Sequence, residues 1–210
     1  MSTAPDRRTR KRLATRQAIS DAATRLFNER GFDQVTVDDI AAAADVGRMT
    51  VFNHFARKED MFFDLEEEGR EDLRRALRDR DPATGAIEAL RLFAHRAVAE
   101  QRPYVRFFEG SARFAQTVAG SEALKARARA IHDDLAAIVQ EEIAKAAGRD
   151  PGDPELHLTA QFVLATWTVA LVQAHRAFAR TGDSEEACRL FLALVDQGTR
   201  ATLAAVASVG

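Results

Sequence analysis

Residues 36–58 (TVDDIAAAADVGRMTVFNHFARK) constrain the fold of this chain most, because they encode two short helices joined by a tight corner. Thr36 followed three residues later by Asp39 is a capping pair that begins a helix. Asp45 and Gly47 tolerate the backbone angles of a corner, so the first helix ends there. A second helix begins directly after the corner. The segment therefore predicts a helix-turn-helix.

The second of these helices carries groups suited to DNA. Val51 and Phe55 lie one helical turn apart and point inward, which leaves the neighbouring polar and contact groups on other faces. Those groups are Arg48, Met49, Thr50, Asn53 and His54. Such side chains can contact base edges and phosphates, so they are candidate DNA-binding residues. An ordinary helical hairpin with a solvated polar face would show the same pattern, and the spacing alone leaves both interpretations open.

The stretch Val46–Phe55, followed by Lys58 and Glu59, resembles the recognition-helix signature of the TetR family of transcriptional regulators. The helix expected at residues 15–30 is similar to the first helix of that family. The resemblance in sequence covers about residues 12–65. It implies a DNA-binding head and a helical body that binds an effector.

The resemblance also implies individual roles. Bases would be read by Arg48, Met49, Thr50 and Asn53, and phosphates would be bound by Thr36, His54 and Lys58. Three positions depart from the family pattern. Asp45 replaces a glycine, Gly47 replaces a serine, and Phe52 replaces a tyrosine whose hydroxyl holds a phosphate. Without that hydroxyl, Phe52 is expected to pack or to touch a sugar or a thymine methyl group.

Charge is distributed unevenly along the chain. The 210 residues carry a formal net charge of −2, but residues 1–60 hold 11 Lys and Arg against 9 Asp and Glu, a net +2. Residues 1–14 form a basic arm that contains Arg10 and Arg12 and only one acid, Asp6. A solvated tail without a role is one interpretation. Its place before a helix suited to DNA favours phosphate or minor-groove contact. The arm lacks the apolar stretch of a secretory signal.

Helical periodicity continues to the end of the chain, and the sequence contains no convincing strand. We predict an all-α protein of about nine helices. A three-helix DNA-binding head with the helix-turn-helix is expected in residues 1–57, and a larger helical body for effector binding and dimerisation in residues 58–210. Helices of the body are expected at about 58–80, from 82, from 103, at 121–147, from 154 and from 183.

Residues 156–175 contain no Asp, Glu, Lys or Arg, a length that would span a bilayer. Seven polar side chains in the segment argue against membrane insertion. A helix that is apolar almost all round must be covered on more than one side, which favours a homodimer that pairs the last two helices. A single large core is the alternative. The predicted dimer interface comprises Val163, Ala170, Ala174, Phe191, Leu194 and Val195.

The predicted body is rich in aromatic residues. Taken singly, each is best explained by core packing. As a set that includes hydrogen-bonding groups, they could line an apolar cavity, and the resemblance implies an effector pocket there. The candidate lining residues are Phe93, Tyr104, Phe107, Phe108, Phe114, His132, Phe162 and Trp167.

Motifs for catalysis and for metal or cofactor binding are not found. The sequence has no GxSxG, GxxxxGK or HExxH pattern. Its histidines are scattered, and its single cysteine, Cys188, fits a reducing cytoplasm. We therefore expect a homodimeric, ligand-responsive repressor on a palindromic double-stranded operator, without catalytic residues, metal, cofactor or membrane. The alternatives are a helical ligand sensor or carrier that does not bind DNA, and an all-helical enzyme whose histidines converge in space.

Overall fold

The computed structural model describes residues 6–207, which form ten α-helices and one 3₁₀ helix, without a strand in that range. The helices are α1 (Arg7–Arg30), α2 (Val37–Ala43), α3 (Arg48–His54), α4 (Lys58–Phe62), α5 (Glu66–Arg78), α6 (Ala86–Ala99), α7 (Glu109–Gly120), α8 (Glu122–Ala147), α9 (Pro154–Thr181) and α10 (Ser184–Ala207). The 3₁₀ helix lies between α6 and α7 at Pro103–Val105. The predicted all-α class is confirmed.

Two differences raise the number of helices above the expected nine. The helix expected at 58–80 is two helices, α4 and α5, because the chain near their junction is held by side chains of α1. Ser20 donates a hydrogen bond to Asp64, and the Phe62 ring lies 5.9 Å from that of Phe27. Helix α7 is the second difference. None of its residues is buried.

Contacts within the chain divide it into two units. Unit 1 ends at Asp64 and also contains Gly120–Leu124, and unit 2 comprises Leu65–Ala119 and the residues from Lys125 onward. Within unit 1 the Ser121 hydroxyl donates to Asp33 at 2.9 Å. Helix α4 belongs to unit 1 by its contacts, although the sequence places the boundary at 57/58. The assignment of DNA binding and effector binding to the two parts stays a prediction.

The basic N-terminal segment is helical from Arg7 onward. Asp6 accepts a hydrogen bond from the Thr9 amide at 2.7 Å and caps α1, which continues without a break to Arg30. Gly31, with a φ of 83°, ends the helix in a conformation that favours glycine. The basic residues up to position 14 that the structure describes are therefore the first turns of α1 rather than an extended arm.

Unit 2 is organised around the pair α9 and α10. Gly182, at φ 69°, ends α9, and Asp183 accepts hydrogen bonds from the amides of Glu185 and Glu186 to begin α10, where a helix is expected from residue 183. The helices approach closely at Gly198, where an added Cβ would lie 2.2 Å from Cγ2 of Thr166. The helix expected from residue 82 is α6, which begins later, at Ala86, and Asp81 accepts from the amide of Ala83 in a turn before it.

The predicted dimer interface is wrong for most of its members. Five of the six side chains are at most 6% exposed in the single chain: Val163, Ala170, Ala174, Phe191 and Val195. They form the core of unit 2, because the apolar side of each helix faces its neighbours in the same chain. Leu194 is half-buried. The apolar side chains that α9 exposes are others: Leu158, Phe162, Val169 and Val172.

One helix, Pro154–Thr181, is long and apolar enough by length and composition to cross a membrane. A third of the most apolar 18-residue stretch of this helix is buried inside the protein, and core helices of soluble proteins often have the same composition. One such helix is weak grounds for membrane insertion.

Candidate nucleic-acid interface

The start of α2 is fixed by the predicted capping box. The Thr36 hydroxyl accepts from the Asp39 amide at 3.1 Å and donates to the Asp39 carboxylate at 2.5 Å, which also accepts from the Thr36 amide at 2.8 Å. Hydrogen bonds from the side chain and the backbone of Thr36 hold the pKa of Asp39 below its usual value. Because the hydroxyl proton is already donated to Asp39, the expected phosphate contact of Thr36 would require this bond to break.

The corner between α2 and α3 forms where the sequence predicts it. Asp45 has a φ of 52°, in the left-handed region that aspartate tolerates. The amide of Val46 then returns to the carbonyl of Ala41 at 3.0 Å. Gly47 precedes α3 and accepts from the Thr50 amide at 2.8 Å, but no side chain caps the helix start. The start of α3 therefore depends on backbone hydrogen bonds rather than on a side-chain cap.

Helix α3 turns its apolar side inward and its candidate DNA-binding side outward. Val51 and Phe55 are 0% and 2% exposed, as predicted, whereas Met49 is 71% exposed and Phe52 37%. Arg48 and Asn53 are exposed, and Thr50 and His54 are half-buried. The predicted base-reading side chains thus share one helix and are accessible to a ligand as large as a duplex. Contact with DNA stays a prediction.

Arg48 is held by two neighbours. Its Nη1 donates to Oδ2 of Asp38 in the first turn of α2 at 2.6 Å. Its guanidinium lies 5.5 Å from the ring centroid of Phe52, within range of a cation–π interaction. Sequence reasoning missed Asp38, which is ten positions away and comes beside Arg48 only when the corner folds.

Arg16 of α1 supports the other end of α3. Its Nη1 donates to the carbonyl of His54 at 2.6 Å, and its guanidinium lies 4.0 Å from the ring centroid of Phe55. Burial, followed by the charges of Arg12 and Arg16, holds the pKa of His54 below its usual value. The imidazole is therefore neutral at pH 7 and can offer a phosphate one N–H rather than a positive charge.

Lys58, which is expected to bind a phosphate, has partners within unit 1. Its Nζ donates to the carbonyls of Phe32 and Val35 at 2.9 Å each and lies 4.1 Å from the ring centroid of Phe32. The ammonium is thus half-buried and closes the loop between α1 and α2. Two of its three donors are thus used within unit 1, which indicates a structural role, and the expected phosphate contact of Lys58 stays a prediction.

The first turns of α1 form a basic surface. Its exposed members are Arg7, Arg8, Arg10, Lys11 and Arg12. The effect of Arg12 on the pKa of His54 places its charge near the end of α3. The predicted DNA-binding residues Arg10 and Arg12 are therefore accessible on a helix of the same unit as α3.

The predicted effector-pocket residues divide into two groups. Phe93, Tyr104, Phe107 and Trp167 belong to one aromatic cluster in unit 2, in which ring centroids lie 5.5 to 6.4 Å apart and Phe191 joins them. Phe108, Phe114 and Phe162 are 39% to 49% exposed, and the half-buried His132 lies beside Asp133. An open groove of about 470 Å³ on unit 1 shares no residue with either group.

Two polar groups lie in or beside this cluster. Tyr104 is expected to line a pocket, and no role is expected for His175. Tyr104 donates its hydroxyl to Asp72 at 2.8 Å, and burial followed by this carboxylate raises the pKa of Tyr104. His175, which the sequence did not single out, lies 5.1 Å from the ring of Phe107, and burial lowers its pKa. Its buried Nδ1 has no hydrogen-bond partner among residues 6–207. His175 is thus an unsatisfied polar group within an aromatic core.

Comparison of the sequence finds relatives of the N-terminal part. A model of the bacterial regulatory proteins of the tetR family matches residues 19–65. MftR of Mycobacterium tuberculosis, named for the regulation of mycofactocin biosynthesis, is 49% identical over 49 residues, 23% of this chain and 25% of its own. The HTH-type transcriptional regulator AcrR of Shigella flexneri is 41% identical over 51 residues, 24% of either chain. The chain therefore aligns with about a quarter of the length of these curated relatives.

Solved structures share the fold over most of the chain. FadR of Thermus thermophilus, a TetR-family repressor in complex with lauroyl-CoA, superimposes with a TM-score of 0.56 at 23% identity over 90% of this chain and 93% of its own. The complex of SmeT with triclosan gives a TM-score of 0.59 at 20% identity over 90% and 91%. SmeT is the repressor of a multidrug efflux pump of Stenotrophomonas maltophilia. These likenesses confirm the predicted fold of an N-terminal helix-turn-helix followed by a helical body.

Proposed function

We propose that this chain, which belongs to the TetR family of bacterial regulatory proteins through residues 19–65, is a DNA-binding transcriptional repressor. It binds a palindromic operator as a homodimer and releases it when a small molecule binds unit 2. The outer face of α3 carries the proposal. This face presents Arg48, Met49 and Asn53 to solvent on a helix whose inner face is fixed by Val51 and Phe55.

The chemistry of this face suits the major groove. Arginine matches the O6 and N7 acceptors of guanine, asparagine matches the N6 and N7 groups of adenine, and Thr50 can touch a thymine methyl. The exposed cations of α1 add a second contribution to the affinity for DNA, because they attract the phosphates of any sequence. Because Lys58 and Thr36 are engaged within unit 1, Arg10 and Arg12 are the better candidates for phosphate contact.

A dimer is supported by the exposed face of α9. Leu158, Phe162, Val169 and Val172 are spaced by four, seven and three residues, which places them on one side of the helix, and they are 40% to 52% exposed, so they form an apolar stripe. A stripe of this kind is the contact surface of paired helices, and a two-fold pair would bring two copies of α3 to one duplex. The proposed interface is therefore this stripe, not the buried residues expected from sequence.

The dimer is tested by Val169→Glu, with Ala130→Glu as the control because Ala130 is exposed on α8 in the same unit. A charge within the stripe should weaken dimerisation by about tenfold or more, since burying an unpaired carboxylate costs more than 1.4 kcal/mol. Ala130→Glu should leave the dissociation constant unchanged. Light scattering across a dilution series measures both. A wild-type monomer at tens of micromolar, or a dimer unaffected by Val169→Glu, contradicts the proposed interface.

The effector is proposed to bind in unit 2. FadR and SmeT are seen with lauroyl-CoA and with triclosan, and the aromatic cluster gives this chain an apolar interior that suits a ligand of similar character. For such a ligand to release DNA, it must bind the conformation that does not fit DNA more tightly than the one that does. Ligands that raise the melting temperature of unit 2 and lower affinity for the operator would support this part of the proposal.

The whole proposal is tested by selecting bound duplexes from a random DNA pool with the purified protein. Enrichment of a palindrome with half-sites one or more helical turns apart is the expected result. Binding that remains weak and independent of salt, without any enriched sequence, would refute a regulator. It would favour a helical ligand sensor that retains unit 2 and has lost DNA binding.

A further inference from the structure

The position of Arg48 makes it the side chain of α3 best placed to reach a base. It is the first residue of the helix, and residues at the N-terminal end of a recognition helix contact base edges. Its side chain is 57% exposed, yet it is held on two sides by Asp38 and by the ring of Phe52. An exposed arginine with two partners has fewer conformations to lose on binding.

The bond to Asp38 leaves the reading edge of Arg48 available. It uses Nη1 at 2.6 Å, whereas Nε and Nη2 form the other edge of the guanidinium. No hydrogen bond from those two nitrogens is recorded within residues 6–207. Two parallel donors on one edge match O6 and N7 of guanine. The contact with Asp38 therefore orients the guanidinium without blocking it.

Asp38 places a negative charge on the surface proposed to meet DNA. Its carboxylate is 65% exposed in the first turn of α2, on the side of unit 1 proposed to meet phosphates, where a negative charge weakens attraction to any duplex. A free Arg48 would be one more cation able to bind any phosphate. Paired with Asp38, it contributes less to sequence-independent binding and retains its contact to guanine. Specificity can be raised in this way by disfavouring the wrong partners.

We propose that Asp38 is a specificity-determining residue that positions Arg48 to select guanine at one position of each half-site. The inference rests on the proposed function. Asp38 acts through Arg48 rather than by reading a base itself, so its removal should alter discrimination between sequences more than affinity for the preferred one.

The test compares Asp38→Asn with Asp45→Asn. Asp45 is exposed at the same corner, and asparagine tolerates its φ of 52°, so Asp45→Asn removes an equal charge without a contact to Arg48. Arg48→Ala first identifies the guanine, as the half-site position at which preference is lost. Each variant is then titrated against the selected duplex and against one with adenine at that position, across a salt series.

The wild type and Asp45→Asn should prefer guanine by about tenfold or more, the value of a bidentate arginine contact. Asp38→Asn should reduce this preference to within about threefold and steepen the logarithmic salt slope by up to about 0.9, as the released Arg48 binds a phosphate. Similar melting temperatures would exclude unfolding as the cause. The role of Asp38 is overturned if Asp38→Asn keeps the full preference for guanine, or if Asp45→Asn loses as much of it. It is also overturned if Arg48→Ala loses its preference at no position of the half-site. These results leave the proposed function standing. A wild type that selects no duplex overturns the proposed function as well.

Discussion

Replacing Lys58 with methionine should destabilise unit 1 without changing the salt dependence of DNA binding. Methionine keeps most of the aliphatic stem but removes the ammonium that donates to the carbonyls of Phe32 and Val35, at 2.9 Å each. Hydrogen bonds to a charged group contribute about 1.5 to 3 kcal/mol each, and the contact with the Phe32 ring about 0.5 to 1 kcal/mol. These contributions are not additive, because the loop carbonyls can regain water. We expect a loss of about 2 to 3 kcal/mol.

The assay is thermal unfolding followed by circular dichroism and calorimetry. For a unit of about 60 residues, a loss of this size lowers the melting temperature by roughly 10 to 20 °C. Arg57→Met is the matched control, because Arg57 is the exposed neighbour and its loss removes the same charge. Lys58→Arg should recover only part of the stability, since a planar guanidinium cannot reproduce the two ammonium bonds.

The same variant separates a structural role from phosphate binding. Measured below its melting temperature, Lys58→Met should show the wild-type salt slope, whereas loss of a phosphate contact would reduce the slope by about 0.9. The reasoning is refuted if Lys58→Met melts within a degree or two of Arg57→Met. It is also refuted if the salt slope of Lys58→Met falls by about 0.9, the value of one phosphate contact, while its stability is unchanged.

Two further outcomes test unit 2. Gly198→Ala should lower the free energy of unfolding by about 1 to 3 kcal/mol, because its Cβ would lie 2.2 Å from Thr166. Gly69→Ala is the control: its Cβ would lie 3.8 Å from Tyr104, an ordinary contact, so the higher helix propensity of alanine should raise the free energy of unfolding by about 0.5 to 1 kcal/mol. Chemical denaturation measures both, and a Gly198→Ala variant at least as stable as the wild type would contradict the close approach of α9 and α10. Burial lowers the pKa of His175, so the unfolded state takes up its proton first as the pH falls below 6.5, and stability declines there by at most about 1.4 kcal/mol per pH unit. His175→Gln should remove this part of the decline, and an unchanged pH profile would show that His175 stays solvated.

Features set by neighbouring residues could be predicted from the sequence. The capping box of Thr36 and Asp39, the corner at Asp45 and the inward side of α3 each depend on residues a few positions apart. Asp6 and Thr9 form a cap of the same kind, which would have indicated that α1 begins before the expected residue 15. Local signals therefore predict these particular helix ends.

Features that depend on distant residues could not be predicted. Lys58 has the sequence position of a phosphate ligand, and only the folded loop brings two carbonyls to its ammonium. The partnership of Asp38 and Arg48 likewise requires the corner. A helix that is apolar almost all round does not reveal which side faces its own chain, which is why buried residues such as Val163 were expected at the dimer interface.

The central claim is that the outer face of α3 reads a duplex twice, through two copies of this chain. The most direct measurement is the affinity of the wild type for the selected palindrome and for the same duplex with one half-site scrambled, at several salt concentrations. The account predicts a large gap in affinity that persists as salt rises, because base contacts depend less on salt than phosphate contacts do. Equal affinity for the two duplexes at every salt concentration would contradict it.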